Sequence, residues 1–268
     1  MVGASGRQRA KLETVRNIEF NAPELPEQQK IASILSKYDD LIENNTKRIQ
    51  LLEKIAKLIY DEWFVKFRFP GHEKVKMVNS ELGKIPEGWV VMKLQDCIEL
   101  AYGKGLKQSD RKEGNFLVYG SSGVVGKHNE FLVEGPGIIV GRKGNVGSVF
   151  WTFHDFYPID TVYYVKSEIL LYYVYYNFLN QHFLNNDAAV PGLSRKQAYL
   201  LPFLKPDDIT LALFEKQIEP TFKEIERLNR KNSILAKTRD LLLPKLISGQ
   251  VDVSDLDIKV PEMQEVVV

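Results

Sequence analysis

The chain has 268 residues, 44% of them hydrophobic, which suffices for one core with extended elements or for two small domains. Its formal net charge of +1 excludes a strongly basic nucleic-acid-binding protein, so any DNA contact must use a local basic patch or a partner's charge. No run of about 18 apolar residues predicts a membrane span, and the N-terminus lacks the apolar core of a secretion signal. We therefore expect a cytoplasmic protein.

Cysteine and histidine usage bears on disulfides and metals. Cys97 is the only cysteine, which excludes an internal disulfide and a cysteine-based metal cage, and we expect it to be a buried apolar filler. The four histidines are scattered without metal-ligand spacing, so no metal site is predicted.

Glycines, prolines and apolar periodicity divide the chain into five segments. The predicted segments are 1–25, a short stretch ending in prolines; 26–66, a long helix; 67–205, a mixed α/β domain; 206–250, with a second long helix over 213–247; and 251–268, a polar tail. The fold class predicted is therefore α+β, with two long helices beside a globular domain.

The first helical run carries an unbroken heptad seam, which is typical of a coiled coil. Pro26 suits the first helical position and Glu27 the first turn. Such a helix would be roughly 55–60 Å long. The predicted seam residues are Ile31, Leu35, Tyr38, Ile42, Asn45, Ile49, Leu52, Ala56, Ile59 and Trp63.

The second run repeats the pattern and is punctuated by prolines. Pro220 predicts a kinked first turn or a helix that starts there, and Pro244 and Gly249 predict its end. The predicted seam residues are Ile218, Thr221, Ile225, Leu228, Asn232, Leu235, Arg239, Leu242 and Leu246.

Each seam contains one asparagine near its middle, Asn45 in the first and Asn232 in the second. If the helices pack antiparallel, the two amides meet near the centre, can bond to each other and would fix the register. The alternative is that each amide lies at the edge of the seam and is hydrated.

A short echo precedes each helix. Gly-Arg-Gln-Arg at 6–9 precedes the first helix, and Gly-Leu-Ser-Arg-Lys-Gln at 192–197 precedes the second at nearly the same distance. The chain therefore contains a weak internal repeat, in which only the second copy has a globular domain in front of it. We expect that a first globular domain is missing.

The globular middle contains β-branched and aromatic runs bounded by turn residues, which predict strands at 88–94, 116–119, 137–140, 147–153 and 161–165. Residues 168–185 predict a buried helix. Its tyrosines and phenylalanines could be read as a platform for stacking bases, but at helical spacing they are favoured as core.

Glycine-rich basic loops are the candidate DNA contacts of this domain. They occupy 102–112, 120–128 and 141–147, and the second of them is predicted to be flexible. Basic groups with serine and asparagine on such turns suit phosphate contact and base-edge readout, although ordinary solvated turns have the same composition. The candidate contacts are Lys104, Lys107, Arg111, Ser121, Ser122, Lys127, Arg142, Lys143 and Asn145.

Catalytic motifs are not found. The 120–127 loop has the wrong glycine spacing for a nucleotide phosphate loop, and His128 stands where serine or threonine is needed. No Asn-Pro-Pro-aromatic motif for amino-methyl transfer occurs, and His154 and Asp155 have no nearby nucleophile. No catalytic residue is predicted.

Several segments together resemble the DNA-specificity subunits of type I restriction–modification systems. Residues 23–35 (PELPEQQKIASIL), entering a helix that ends YDEWF at 60–64, resemble the central conserved region. LGKIPEGW (82–89) resembles the opening of a target-recognition domain, and YGSSGVVG (119–126) and IVGRKGNVG (139–147) its internal motifs. TRDLLLPKLISG (238–249) resembles the distal conserved region.

The resemblance implies a non-catalytic subunit that reads duplex DNA. A typical member has two recognition domains at the ends of an antiparallel helical spacer, each reading half of a split target. The helices dock methyltransferase subunits, which bind S-adenosylmethionine, and a motor-nuclease subunit completes the complex. Residues 1–25 match only the tail of a first recognition domain, so the chain is expected to be a fragment or a half-subunit that forms a homodimer on a palindromic target or pairs with another half.

Three alternatives remain open. The chain could be a coiled-coil scaffold or protein-binding adaptor without a DNA role, a reading that the near-neutral charge favours. It could be an enzyme on a small substrate, which a deep apolar pocket in the globular domain would support. It could also be an orphan specificity protein that sequesters methyltransferase or serves in recombination between recognition domains.

Overall fold

The computed structural model describes residues 23–181, 183 and 192–260. The chain splits into two compact units: Met1–Gln50 with Arg227–Val268, called here the helical unit, and Leu51–Glu226, called the recognition unit. The expected tail of a first recognition domain and the upstream echo at 6–9 fall outside the described residues, apart from 23–25. None of the helices within the described ranges is long and apolar enough to cross a membrane.

The first long helix, α1, spans Leu25–Tyr60 and continues into a π-helical turn at Asp61–Val65. It starts one residue before the expected Pro26. Every predicted seam position on α1 is buried or half-buried, and most polar residues between them are exposed, with Ser33 a buried exception. The chain leaves the helix at Phe67, whose φ of 57° is left-handed. The heptad pattern therefore located both the helix and its buried side.

The second long helix spans Asp208–Ile247, so the alternative in which it starts at Pro220 is wrong. The helix begins twelve residues earlier because Asp207 caps it: the Thr210 backbone N–H and hydroxyl donate to the Asp207 carboxylate at 2.9 and 2.7 Å. Trp89 Nε1 donates to the same carboxylate at 2.9 Å. Pro220 lies exposed within the helix, and Pro244 does not end it; the chain turns at Gly249, with φ of 71°.

In the helical unit, the two long helices pack antiparallel. Asn45 Nδ2 donates to Asn232 Oδ1 at 2.9 Å, so the bond considered from sequence is present. Asn232 Nδ2 reaches the Thr46 hydroxyl at 3.3 Å. Toward the start of the first helix, Asp39 pairs with Arg239. The polar pair lies on the buried seam, where only an aligned register satisfies both amides.

The segment after the second helix folds back on α1 over the part of the tail that the structure describes. Val253 is buried with Ile31 and Leu246 in a small apolar cluster. Ser33 Oγ donates to the Lys259 carbonyl at 3.0 Å, and Lys30 Nζ donates to the Ser254 carbonyl. Residues 251–260 are therefore docked, which their polar composition did not predict.

The recognition unit contains eleven strands and two short helices within its described residues. All five predicted strands are present, each within about two residues of the expected bounds. The 120–128 segment, predicted to be a flexible loop, instead forms a hairpin strand, which corrects that expectation. The strands are β1 Met77–Ser80, β2 Gly83–Pro86, β3 Val90–Lys93, β4 Glu99–Tyr102, β5 Phe116–Gly120, β6 Gly123–His128, β7 Gly137–Gly141, β8 Val149–Thr152, β9 Phe156–Pro158, β10 Val162–Lys166 and β11 Pro202–Lys205.

The strands form four small sheets, and two of them frame the candidate site. One is antiparallel with strand order β4-β10-β7-β8, and the other has the order β6-β5-β9, in which β5 and β9 are parallel. Strands β1 and β2 pair with each other, as do β3 and β11. Strand β7 is buried along its whole length because Ile138 and Val140 face the main core while Ile139 faces a second core with Tyr119 and Phe156. The four-stranded sheet is thus covered on both faces.

The aromatic helix, called α2, spans Leu171–Asn180 and is shorter than the predicted 168–185. Tyr173, Tyr176 and Phe178 are buried, and Tyr173 packs against Phe64 at a ring-centroid distance of 4.7 Å. The core interpretation is confirmed, and a base-stacking role for this helix is not supported. A one-turn helix, α3, spans Arg195–Tyr199, and the long Asp208–Ile247 helix is called α4. The α+β class is confirmed.

Candidate nucleic-acid interface

Three strands of the four-stranded sheet end or begin at one edge, where the basic loops meet. Tyr102, at the end of β4, pairs with Tyr163 of β10, and Gly141, at the end of β7, pairs with Val162. The loops after β4 and β7 therefore flank the start of β10. Gly192 joins them through a bridge to Lys143, and the Leu193 N–H donates to the Arg142 carbonyl at 2.8 Å.

The 141–148 segment is a closed turn. The Gly141 N–H donates to the Ser148 carbonyl at 2.7 Å, and the Gly147 N–H returns to the Gly141 carbonyl at 2.9 Å. A Cβ at Gly141 would lie 2.0 Å from the Asn145 carbonyl oxygen, so only glycine fits. Ser148 Oγ donates to the Ser121 carbonyl at 2.7 Å, which ties this turn to the tip of the β5–β6 hairpin.

Arg142 is held by the protein rather than left free. Its Nη1 donates to the Asp160 carbonyl at 2.9 Å, and its guanidinium carbon lies 4.9 Å from the Tyr102 ring centroid and 5.8 Å from that of Tyr163. Burial, followed by the neighbouring Tyr102 hydroxyl, raises the pKa of Tyr163 to about 12. The Tyr163 hydroxyl donates to the Leu193 carbonyl at 3.0 Å, so this ring is neutral and fixed at ordinary pH.

A second arginine, Arg195, lies on the same tyrosine. Its guanidinium carbon is 4.7 Å from the Tyr102 ring centroid and 5.8 Å from that of Tyr199. Sequence reasoning noted this residue only as part of the repeated motif, and Tyr102 only as the start of a loop. Nothing local marked either residue, because the contact joins segments that are far apart in the chain.

A family model described as the type I restriction modification DNA specificity domain matches residues 1–54 and 86–197, more than half of the chain. The chain belongs to this family. The matched ranges include part of α1, the basic loops and the start of α3.

Two curated relatives from Methanocaldococcus jannaschii illustrate the similarity. The type I restriction enzyme MjaIX specificity subunit is 29% identical over 289 residues, covering 95% of this chain and 65% of the relative. The MjaVIII specificity subunit is 33% identical over 144 residues, covering 54% of this chain and 28% of the relative. The chain thus spans less than two thirds of the length of these relatives.

A solved structure shows the same fold. The type I restriction–modification S subunit from M. genitalium superposes with a TM-score of 0.59 at 20% identity, over 84% of this chain and 61% of that one. A solved specificity subunit therefore has the same α+β architecture with long helices.

The candidate contacts lie in two places: at the sheet edge with the tip of the β5–β6 hairpin, and along β6 with the segment docked on it. Lys104, Ser121, Arg142, Lys143 and Asn145 belong to the loops that meet at the sheet edge, and Ser122 lies at the hairpin tip. Lys127 lies on β6 itself. Lys107 and Arg111 belong to a segment docked on β6 by Arg111, whose Nη1 donates to the Val125 carbonyl at 2.6 Å.

Exposure separates candidate contacts from side chains that hold the fold. Arg111 is half-buried: a Cβ at Gly126 would lie 2.7 Å from its Nη1, and its buried Nε has no hydrogen-bond partner in the described part of the chain. Arg142 is also half-buried and bonded to backbone. Six candidates are exposed with side chains that make no hydrogen bond or ion pair within the described ranges: Lys104, Lys107, Ser122, Lys127, Lys143 and Asn145.

Three further features of the described residues bear on metal binding and catalysis. Within residues 23–181, 183 and 192–260, no group of three or more His, Cys, Asp or Glu side chains could hold a metal. An open groove of about 650 Å³ is lined by mixed polar residues, including Asp96, Cys97, Glu99 and Lys166. Cys97 is half-buried rather than fully buried as expected, and burial raises its pKa to about 11, which disfavours a thiolate nucleophile.

Proposed function

We propose that this chain acts as a DNA-specificity subunit: it reads duplex DNA and directs type I methyltransferase and restriction subunits to a split target. The proposal rests on one observation: exposed lysines and two arginines lie together around Tyr102 at one edge of the sheet. The chain's membership of the specificity-domain family gives this basic surface its interpretation. Unpaired cations on rigid turns suit DNA phosphates, and serine and asparagine beside them suit base edges.

The contact residues belong to the same proposal. The exposed side chains of Lys104, Lys107, Lys127 and Lys143 are assigned to the DNA backbone. Ser121, Ser122 and Asn145 present short hydrogen-bonding groups from the hairpin tip and the closed turn, and they are assigned to base edges or to the phosphates beside them. Arg111 and Arg142 are assigned chiefly to holding these loops in place.

The chain itself is proposed to be non-catalytic. Adenine methylation belongs in this proposal to partner methyltransferase subunits, which would carry S-adenosylmethionine, and DNA cleavage to a motor-nuclease subunit. The antiparallel helices supply the docking surface and the spacer. The family to which the chain belongs supports a cytoplasmic location, where DNA and these partners are found.

A split target requires two recognition units, and the described residues contain one. We propose that the second comes from another copy of the chain, from a different specificity half, or from the rest of a longer protein. Two identical units related by two-fold symmetry would read a palindromic split target.

The test is selection of bound duplexes from a random library by the purified chain, with and without its methyltransferase subunit, at several salt concentrations. We expect enrichment of a motif with a fixed internal gap. A palindromic motif would indicate two copies, and a single half-site would indicate one recognition unit acting alone. Weak, sequence-blind binding would overturn the proposal in favour of a scaffold without a DNA role.

A further inference from the structure

Arg195 carries a charge that the protein does not use. The side chain is half-buried at the start of α3, and its guanidinium lies over the rings of Tyr102 and Tyr199. Within residues 23–181, 183 and 192–260 it makes no hydrogen bond or ion pair. A guanidinium has five N–H donors, and packing on aromatic faces leaves them free at its edge.

Arg142 adds a second positive charge on the same ring. Since both guanidinium carbons lie within 5 Å of the Tyr102 ring centroid, at 4.9 and 4.7 Å, the two charges are separated by no more than about a Debye length. No carboxylate of the described residues lies within ion-pair distance of either guanidinium, and the hydrogen bond of Arg142 goes to a neutral carbonyl. Two like charges without a counter-charge favour binding of an anion between or beside them.

The aromatic platform under Arg195 is rigid. The Tyr199 hydroxyl accepts a hydrogen bond from the Leu100 N–H at 3.1 Å. The Tyr102 ring packs against Tyr163 at a ring-centroid distance of 5.1 Å, and the Tyr163 hydroxyl is fixed on the Leu193 carbonyl. Tyr102 is 47% exposed, so the stack reaches the surface. Because the guanidinium is ordered before any ligand arrives, less side-chain entropy is lost on binding.

We propose that Arg195, stacked on Tyr102 and Tyr199, binds a backbone phosphate of duplex DNA and that Arg142 positions the shared ring. The inference rests on the proposed function and adds Arg195, which the sequence did not single out, to the residues that contact DNA. A phosphate is favoured over a base edge because exposed Lys104, Lys143 and Lys196 lie in the segments that meet here, and clustered cations follow the DNA backbone.

The experiment measures binding of the full chain to two labelled duplexes, one with the selected target and one with its sequence shuffled, over a series of salt concentrations. For Arg195→Gln we expect the negative slope of log K against log [salt] to become shallower by about 0.9 and affinity at 0.1 M salt to fall roughly eightfold on both duplexes. Arg195→Lys keeps the charge and should retain most of the slope, with an intermediate affinity.

Arg68→Gln is the matched control, because Arg68 is an exposed arginine of the same unit that is paired with Glu62. Its slope and affinity should equal those of the wild type. A readout without substitution keeps the proposal testable if Arg195→Gln does not fold: DNA should protect Arg195, but not Arg68, from modification by phenylglyoxal, located by peptide mass spectrometry.

The outcomes separate the inference from the function on which it rests. Wild-type binding with an unchanged slope for Arg195→Gln, or no protection of Arg195, overturns the inference and leaves the proposed function standing. A loss confined to the target duplex shows base readout and overturns the phosphate assignment. No binding by the wild type, with or without methyltransferase, overturns both.

Discussion

At the scale of single residues, the same side-chain type has different roles within one site. Arg111 and Arg142 donate to the backbone carbonyls of Val125 and Asp160, so their charges hold loops together. Arg195 makes no such bond to any residue that the structure describes, so its donors remain available to a ligand. Sequence composition treats these three arginines alike, because the difference lies in what each side chain meets.

The reactivity of the Cys97 thiol tests the effect of burial on a single side chain. Because burial raises the pKa of its thiol to about 11, the thiolate fraction at pH 8 should be on the order of 100-fold below that of an unburied cysteine. Alkylation of the folded chain by iodoacetamide should be slower by a similar factor. The urea-unfolded chain is the control and should react at the ordinary rate; equal rates in both states would contradict the burial argument.

The asparagine pair on the helical seam also provides a test. Asn45→Ala leaves Asn232 Oδ1 without its donor, while Asn232 Nδ2 keeps its contact with the Thr46 hydroxyl, and the change should cost about 1–3 kcal/mol in the free energy of unfolding. Urea denaturation followed by circular dichroism measures this cost. The neighbouring, exposed Asn44→Ala should change stability by less than about 0.5 kcal/mol.

The double variant Asn45→Leu/Asn232→Leu distinguishes register from stability. Replacing both amides with apolar groups should be neutral or stabilising, while the helices lose the polar contact that selects one alignment. A double variant as unstable as Asn45→Ala would show that the pair contributes net stability rather than register.

At the scale of elements, α4 shows how a cap can outweigh a proline. Asp207 begins the helix, and Phe214, Ile218 and Phe222 are buried on either side of Pro220, so packing holds the helix through a position that lacks one backbone hydrogen bond. A proline inside a helix does cost stability, as the sequence pattern indicated. Here that cost is smaller than the stabilisation gained by burying the apolar side chains around it.

Pro220→Ala should therefore stabilise the protein. Alanine restores the N–H that can donate to the Lys216 carbonyl and removes the ring clash, so we expect a gain of about 1–3 kcal/mol in urea denaturation. Pro26→Ala, in the first turn of α1 where no N–H partner is lost, should change stability little and serves as the control. A loss of stability in Pro220→Ala would mean that the proline has a packing role.

The element scale also shows how far local pattern predicts the recognition unit. All five strand predictions were confirmed within about two residues because β-branched and aromatic runs bounded by glycine report the strand directly. The 120–128 segment was missed because its glycines suggested a loop, although Gly123 and Gly126 take positive φ within or beside a paired strand. Short strands such as β1, β2 and β9 carry too few residues to show alternation.

At the scale of the whole molecule, the described residues contain one recognition unit with a pair of antiparallel helices. Our proposal requires a second unit to read the other half of a split target. If it comes from another copy, light scattering at micromolar concentration should give twice the mass expected for one chain, and the selected target should be palindromic. A monomer that enriches a single half-site would contradict the homodimer and leave the second unit to a different specificity half or to the rest of a longer protein.

The sequence by itself determined the features whose signal is local or periodic. The heptad spacing predicted both long helices and their buried sides, because helical geometry converts a period directly into a face. It placed Asn45 and Asn232 on the two seams but left open whether the amides bond to each other, which the packing of the helices decided. The conserved-region resemblance, carried by short contiguous motifs, indicated the family that the family model then matched.

Only the tertiary structure decided which residues meet at the candidate interface. Tyr102, Arg142 and Arg195 come from three distant segments, brought together by the pairing of β4, β10 and β7 and by the bridge from Lys143 to Gly192. The docking of residues 251–260 on α1 depended equally on contacts between distant segments. No local pattern records such contacts, because their energy depends on both partners at once.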